Sequence, residues 1–86
     1  MNTFQLNISS PDGKLFSGEA AELILRGAEG DLAVLAGHVP FMTSVRTGEC
    51  VLHIEDGSVR RGHTEGGLLT VAREGVTFLT SALTWE

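Results

Sequence analysis

Residues 27–41, GAEGDLAVLAGHVPF, decide how the rest of the chain is read. Gly27, Gly30 and Gly37, with the Gly37-His38-Val39-Pro40 corner, bracket a short apolar run from Leu32 to Ala36. Glycine is cheap where the backbone needs positive φ or close approach, and proline fixes φ and withholds a donor. Five residues between such punctuation predict a short buried strand held between two shaped loops. Those loops carry Glu29, Asp31 and His38 and no nucleophile in a context that would activate it. They suit a docking surface better than a reaction centre.

Outward from this stretch, turn signals recur at short intervals: Pro11-Asp12-Gly13, Gly48, Asp56-Gly57, Gly66-Gly67 and Glu74-Gly75. Short segments between regular breakers predict an all-β sandwich or barrel. Alternation agrees. Phe4, Leu6 and Ile8 face one way and Thr3, Gln5, Asn7 and Ser9 the other; Cys50, Leu52 and Ile54 alternate with Val51, His53 and Glu55. Ser17 to Leu25 is compatible with a helix, but it has no cap and ends in Leu-Ile-Leu, so it reads as strand. Asp56-Gly57 is the strongest hairpin signal, expected as a two-residue type I′ turn. That turn would set His53 opposite Arg60 and Cys50 opposite His63. A second hairpin is expected at Arg73-Glu74-Gly75, with Gly75 left-handed.

The chain also resembles the epsilon subunit of F-type ATP synthases, counterpart of the mitochondrial delta subunit. Gly27, Glu29, Gly30, Asp31, Leu32, Leu35, Gly37, His38 and Pro40 fall at matching places in that family's glycine-rich run. Phe4-X-Leu6-X-Ile8, Pro11-Asp12-Gly13, Leu15-Phe16-Ser17-Gly18-Glu19, Gly48 and Glu65-Gly66-Gly67-Leu68 extend the likeness over nearly the whole chain. The sequence departs from the pattern at Arg60 to Glu65, where relatives are more apolar, and at Arg26, Ala33 and Ala36.

The resemblance implies one domain over 1–86, a two-sheet antiparallel β-sandwich of about ten short strands. It also implies a non-catalytic central-stalk subunit whose partners are the gamma subunit and the membrane ring of proteolipids. In that picture the ring-facing loops are Glu29, Gly30, Asp31 and His38, Val39, Pro40, Phe41, Met42. Ring loops in the family are basic, so Glu29 and Asp31 have the matching sign. The implied place is peripheral, on the cytoplasmic face of a bacterial membrane, without direct lipid insertion. Relatives usually continue into a C-terminal helical hairpin. The sequence read here ends at Glu86, so the inhibition and ATP site those helices supply are not assigned to it, and Trp85 is left either packed on the sandwich or leading into helices.

Composition sets bounds on the alternatives. With 11 acidic residues against 6 Lys and Arg, the formal charge is −5, and the nearest thing to a basic stripe is Arg60-Arg61. Nucleic-acid binding wants a basic stripe, so it is not expected. Apolar stretches fall far short of a membrane-spanning helix, and no basic, apolar leader opens the chain. One cysteine, Cys50, precludes an internal disulfide framework. His38, His53 and His63 lack close metal-ligand spacing, and the glycine-rich run lacks the Gly-Lys-Ser/Thr of a phosphate loop, so no metal or cofactor is expected. His38 reads as a loop-structuring residue rather than a base, and Arg60-Arg61 as an edge-strand guard. A free-standing interaction module sharing the fold, or a small enzyme using His38, are the competing readings.

Overall fold

The computed structural model describes residues 2–86, and every regular element in that span is a strand. In chain order they are β1 (Phe4–Ser10), β2 (Gly13–Gly27), β3 (Gly30–Leu35), β4 (Phe41–Val45), β5 (Gly48–Ile54), β6 (Val59–Thr64), β7 (Gly67–Ala72), β8 (Gly75–Thr80) and β9 (Leu83–Trp85). Ser17 to Leu25 lies within β2, as expected.

β2 explains why nine strands do the work of ten. Its first half pairs with β1, from Phe4↔Ala20 to Ser10↔Gly13. Its second half pairs with β3 and β5, and the register shifts between Ala20 and Glu22. A strand that switches layers at such an irregularity makes the corner of a sandwich. One layer is therefore the first half of β2, then β1, β8, β7 and β4; the other is β3, the second half of β2, β5, β6 and β9. Val45 pairs with Gly27, so hydrogen bonding is continuous around the molecule.

One pairing departs from the antiparallel expectation: β1 and β8 run parallel, Leu6↔Val76 to Ser9↔Leu79. Parallel neighbours need a long crossover, and the chain between β1 and β8 supplies it by building the rest of the sandwich. β3 also differs from the buried strand expected. It pairs only with β2, with Val34 buried and Asp31, Ala33 and Leu35 exposed. It is an edge strand.

The core draws on both layers: Leu6, Ile8, Val45, Leu69, Val71, Val76 and Phe78 from one, Leu23, Leu25, Val34, Cys50, Leu52 and Leu83 from the other. Burial pushes the Cys50 thiol up to about 12, with the Glu49 carboxylate adding to the effect. Since the thiolate is the reactive form, Cys50 is expected to ignore a disulfide reagent at pH 8 until denaturant is added. Rapid native-state labelling would contradict the packing.

The β5–β6 hairpin differs from the sequence reading. Among the described residues none other than glycine has positive φ, so Asp56 cannot occupy a type I′ turn. Instead Gly57 (φ +93) donates to the Ile54 carbonyl at 3.0 Å, and Ile54 donates to Ser58 at 2.9 Å. This is a three-residue loop with glycine at the left-handed bulge position. The extra residue slips the register by one: His53 faces Val59, Cys50 faces Gly62, and His63 faces Glu49. A slip of one turns every side chain to the other face, and the expected Cys50–His63 neighbourhood does not form. Ser58 donates through its hydroxyl and its N–H to the Asp56 carboxylate, which holds that carboxyl below its ordinary range. At β7–β8 the expected hairpin forms with Arg73 and Glu74 as its loop; Gly75 pairs with Ala72 at φ +158, positive as expected but more extended than a left-handed turn.

Gly66-Gly67 sits in a seam that admits no side chain. A Cβ on either would collide with backbone, at Val45 for Gly66 and at Leu79 for Gly67. Beside it, Thr64 and Thr80 are buried with their hydroxyls 2.8 Å apart. Thr80 donates to the Gly66 carbonyl at 2.7 Å and accepts the Ala82 N–H at 3.3 Å, while Thr64 accepts the Gly66 N–H at 3.0 Å. Breaking a buried network strands its partners without water. Thr80→Val, close in shape, is therefore expected to cost about 1–3 kcal/mol in urea unfolding with an unchanged m-value; no loss would show the network to be energetically idle.

Candidate docking surfaces

The Gly37–Pro40 corner is built around His38. Gly37 adopts φ +83, a left-handed turn that L side chains resist. The turn brings the imidazole back onto the end of β3. Leu35 N–H donates to His38 Nδ1 at 3.1 Å, and His38 N–H donates to the Leu35 carbonyl at 3.3 Å. The ring also leans on Phe41, with centroids 5.8 Å apart at 59°. Its one basic nitrogen is therefore engaged by backbone, the structural part expected of it.

The corner and the acidic turn were read as one surface, and β3 divides them. Gly27 to Leu32 and Phe41 to Thr43 line one open groove of about 400 Å³. Thus Glu29, Gly30 and Asp31 do meet Phe41 and Met42. His38, Val39 and Pro40 instead line a cleft of about 530 Å³ with Thr3 to Gln5, Glu19 and the β7–β8 turn. The two are neighbours along β3, Gly30 to Leu32 lining the first and Leu35 the second, and Phe41 of the first leans on His38 of the second. Val39 (76% exposed) and Met42 (64%) are open to solvent as expected, whereas Phe41 is half-buried against the core.

A third surface escaped the sequence reading. On the outer face of β4, β7, β8 and β1, ladder partners form two rows: Met42, Thr70, Thr77, Asn7 and Ser44, Leu68, Leu79, Ser9. None of the eight carries a charge, although 20% of the chain does. Leu68 and Leu79, directly opposite each other, are 39% and 51% exposed. The outer face of the other layer is its opposite, bearing Glu22, Arg26, Asp31, Glu49, His53, Arg61 and His63. Alternation within GLLTVA and GVTFLT was the available signal; which strands lie side by side was not.

Arg60-Arg61 stands where β6 runs past the end of β9, which pairs only with Gly62 to Thr64, while Glu86 N–H reaches the Arg61 carbonyl. The edge role expected therefore suits Arg60, whose guanidinium also sits over the Trp85 ring, 5.5 Å from its centroid. Gly62 lets β9 approach: a Cβ there would come within 2.7 Å of the Thr84 carbonyl and 3.0 Å of the Trp85 ring. Trp85 thus packs on the sandwich.

Residues 3–86 match the family described as the ATP synthase, Delta/Epsilon chain, beta-sandwich domain. The chain belongs to that family. Among its relatives, the ATP synthase epsilon chain, sodium ion specific, of Acetobacterium woodii is 35% identical over 83 residues, covering 96% of this chain and 62% of that protein. The ATP synthase epsilon chain of Caldanaerobacter subterraneus subsp. tengcongensis is 31% identical, covering 96% and 60%. The chain therefore spans about three-fifths of these relatives' length. Of solved structures, a chain in the Euglena gracilis mitochondrial ATP synthase superposes with a TM-score of 0.89 at 24% identity, over 96% of this chain and 53% of that one. A chain in the Tetrahymena thermophila central stalk and c-ring structure does so at 0.78 and 10% identity, over 93% and 64%. At such identities the superpositions establish a shared fold, the family's β-sandwich.

Within this delta/epsilon sandwich the acidic turn is lightly tethered. Arg26 Nε lies 3.6 Å from Asp31, both side chains more than half exposed. Exposed pairs contribute about 0–1 kcal/mol, so Asp31→Asn is expected to shift the unfolding free energy by less than about 1 kcal/mol. A larger loss in denaturant titration would mean the turn is structural, leaving less of its charge available to a partner.

Proposed function

We propose that this domain is a non-catalytic rotor component of an F-type ATP synthase, joining the gamma subunit to the proteolipid ring so that ion-driven rotation passes between them. The observation that carries this reading is the division of its surface. A neutral, partly apolar face on β4, β7, β8 and β1 adjoins the acidic Glu29–Asp31 turn at Met42, which belongs to both. A joint between two unlike neighbours needs two unlike surfaces. Burying a large apolar side chain gives about 1.5–3 kcal/mol, several times an exposed ion pair. The neutral face is therefore assigned to gamma, as the holding contact. Glu29 and Asp31, with Met42 at the groove's edge, are assigned to the basic loops of the ring, where charge governs encounter and choice of partner. Val39 and Pro40 extend the contact from the far end of β3.

Scale is compatible with two partners. A standard interface takes ~800 Å² from each side, so two would cover roughly a third of the 4974 Å² surface. The place implied is peripheral, on the cytoplasmic face of a bacterial membrane, as part of the assembled synthase. Stiffness suits transmission of torque, because close-packed interiors have low compressibility.

Capture of gamma from the same cell at near-physiological salt tests the assignment. The unaltered domain is expected to retain gamma. Leu79→Lys, on the outer face, is expected to reduce capture at least tenfold, about 1.4 kcal/mol, with the unfolding midpoint nearly unchanged. Failure of the unaltered domain to capture gamma or ring would overturn the proposal. Full capture by the lysine variant would move gamma to another face.

A further inference from the structure

We propose that His38 is a proton-operated latch on the open edge of β3. β3 pairs with β2 alone, from Glu22↔Leu35 to Gly27↔Gly30. In an antiparallel ladder, alternate residues turn both backbone groups away from the partner strand. Leu35 is such a residue, because its N–H and its carbonyl are both taken by His38. The same parity turns Asp31 and Ala33 outward, so the edge is open at two residues and closed at the third. His38 stands where the next strand would be.

The closing contact depends on protonation. Nδ1 can accept the Leu35 N–H only when it carries no proton, that is, in the neutral ring with hydrogen on Nε2. Protonated, Nδ1 becomes a donor aimed at a donor. What then remains is the 3.3 Å bond from His38 N–H to the Leu35 carbonyl, beyond the usual N–H···O range. The charged groups around the ring are Glu19 from β2 and Arg73 and Glu74 from the β7–β8 turn, which line the same cleft, with Glu22 across the ladder from Leu35. Thr3 just ahead of β1, Phe4 and Gln5 of β1, Val76 of β8 and Phe41 of β4 add no charge. Glu19 already accepts a hydrogen bond from the Thr3 hydroxyl at 2.8 Å. Among the described residues no carboxylate forms an ion pair with His38 that would hold the charged ring in place. The latch is closed while the imidazole is neutral and opens when it is protonated, adding Leu35 to the free edge and releasing the Val39–Pro40 corner. This inference stands on the corner alone and does not need the rotor assignment.

Amide hydrogen exchange on the protein, followed from pH 8 to pH 5 and divided by the intrinsic rate at each pH, reads the latch directly. Leu35 exchange is expected to rise about fivefold on protonation, the factor equivalent to one ordinary hydrogen bond, while the core amide of Leu52 stays constant. His38→Asn places an acceptor that cannot be protonated near the same position and is expected to keep Leu35 protected across the range. His38→Ala is expected to leave it fast throughout. The proposal is overturned if Leu35 protection in the unaltered protein does not follow the imidazole titration, or if the Asn variant shows the same pH response. A fivefold rise shared by Leu52 would assign the change to global loosening and overturn it equally.

Discussion

The structure depends on one strand being shared by two layers. β2 gives its first half to β1 and its second to β3 and β5, and the register change between Ala20 and Glu22 lets the ladder turn the corner. Ala20, fully buried at that point, is small enough for the layers to close over it. Because backbone groups in a sheet must be paired or exposed to water, an unbroken ladder around this corner fixes the two layers relative to each other. A side-chain core alone would leave them freer to slide.

The seam at Gly66-Gly67 completes the same constraint at the other end of β6. Two glycines pass where backbone from β4 and β8 leaves no room for Cβ, and the Thr64–Thr80 pair satisfies the polar groups this close approach buries. Buried polar groups are tolerated when fully bonded and costly otherwise. The polar character of the Arg60–Glu65 stretch is thus partly structural: Arg60 covers Trp85, Gly62 admits β9, and Thr64 joins the seam.

With the frame held in this way, the outer faces are free to differ. In one layer β4, β7, β8 and β1 offer uncharged Thr, Ser, Asn, Leu and Met side chains, with Lys14 and Glu19 of β2 at its border. The other layer carries charges of both signs throughout. Desolvating a charge costs far more than desolvating a Thr hydroxyl, and burying Leu is favourable. A neutral face can therefore be buried against a neighbour, while a charged one meets partners mainly through water. In a domain proposed to sit between two moving parts, this contrast sorts a permanent contact from a steering one.

The amino-acid sequence alone determined the strand content, the turn positions and the inward set Leu6, Ile8, Cys50 and Leu52, because these follow from local φ/ψ preferences and a period of two. The likeness carried by Gly37-His38-X-Pro40 and its flanks pointed to the family. The β5–β6 register was missed because Gly57 takes positive φ while Asp56 does not, which lengthens the loop by one residue. Dipeptide propensity cannot separate those two turns. Likewise, the exposure of β3 and the partial cover of β6 by β9 waited on the sheet order. The grouping of the proposed docking residues was a tertiary decision too. Glu29 and His38 are nine positions apart, yet an extended strand between them holds them at opposite ends, whereas Met42 and Leu79, far apart in sequence, share one face through ladder partners.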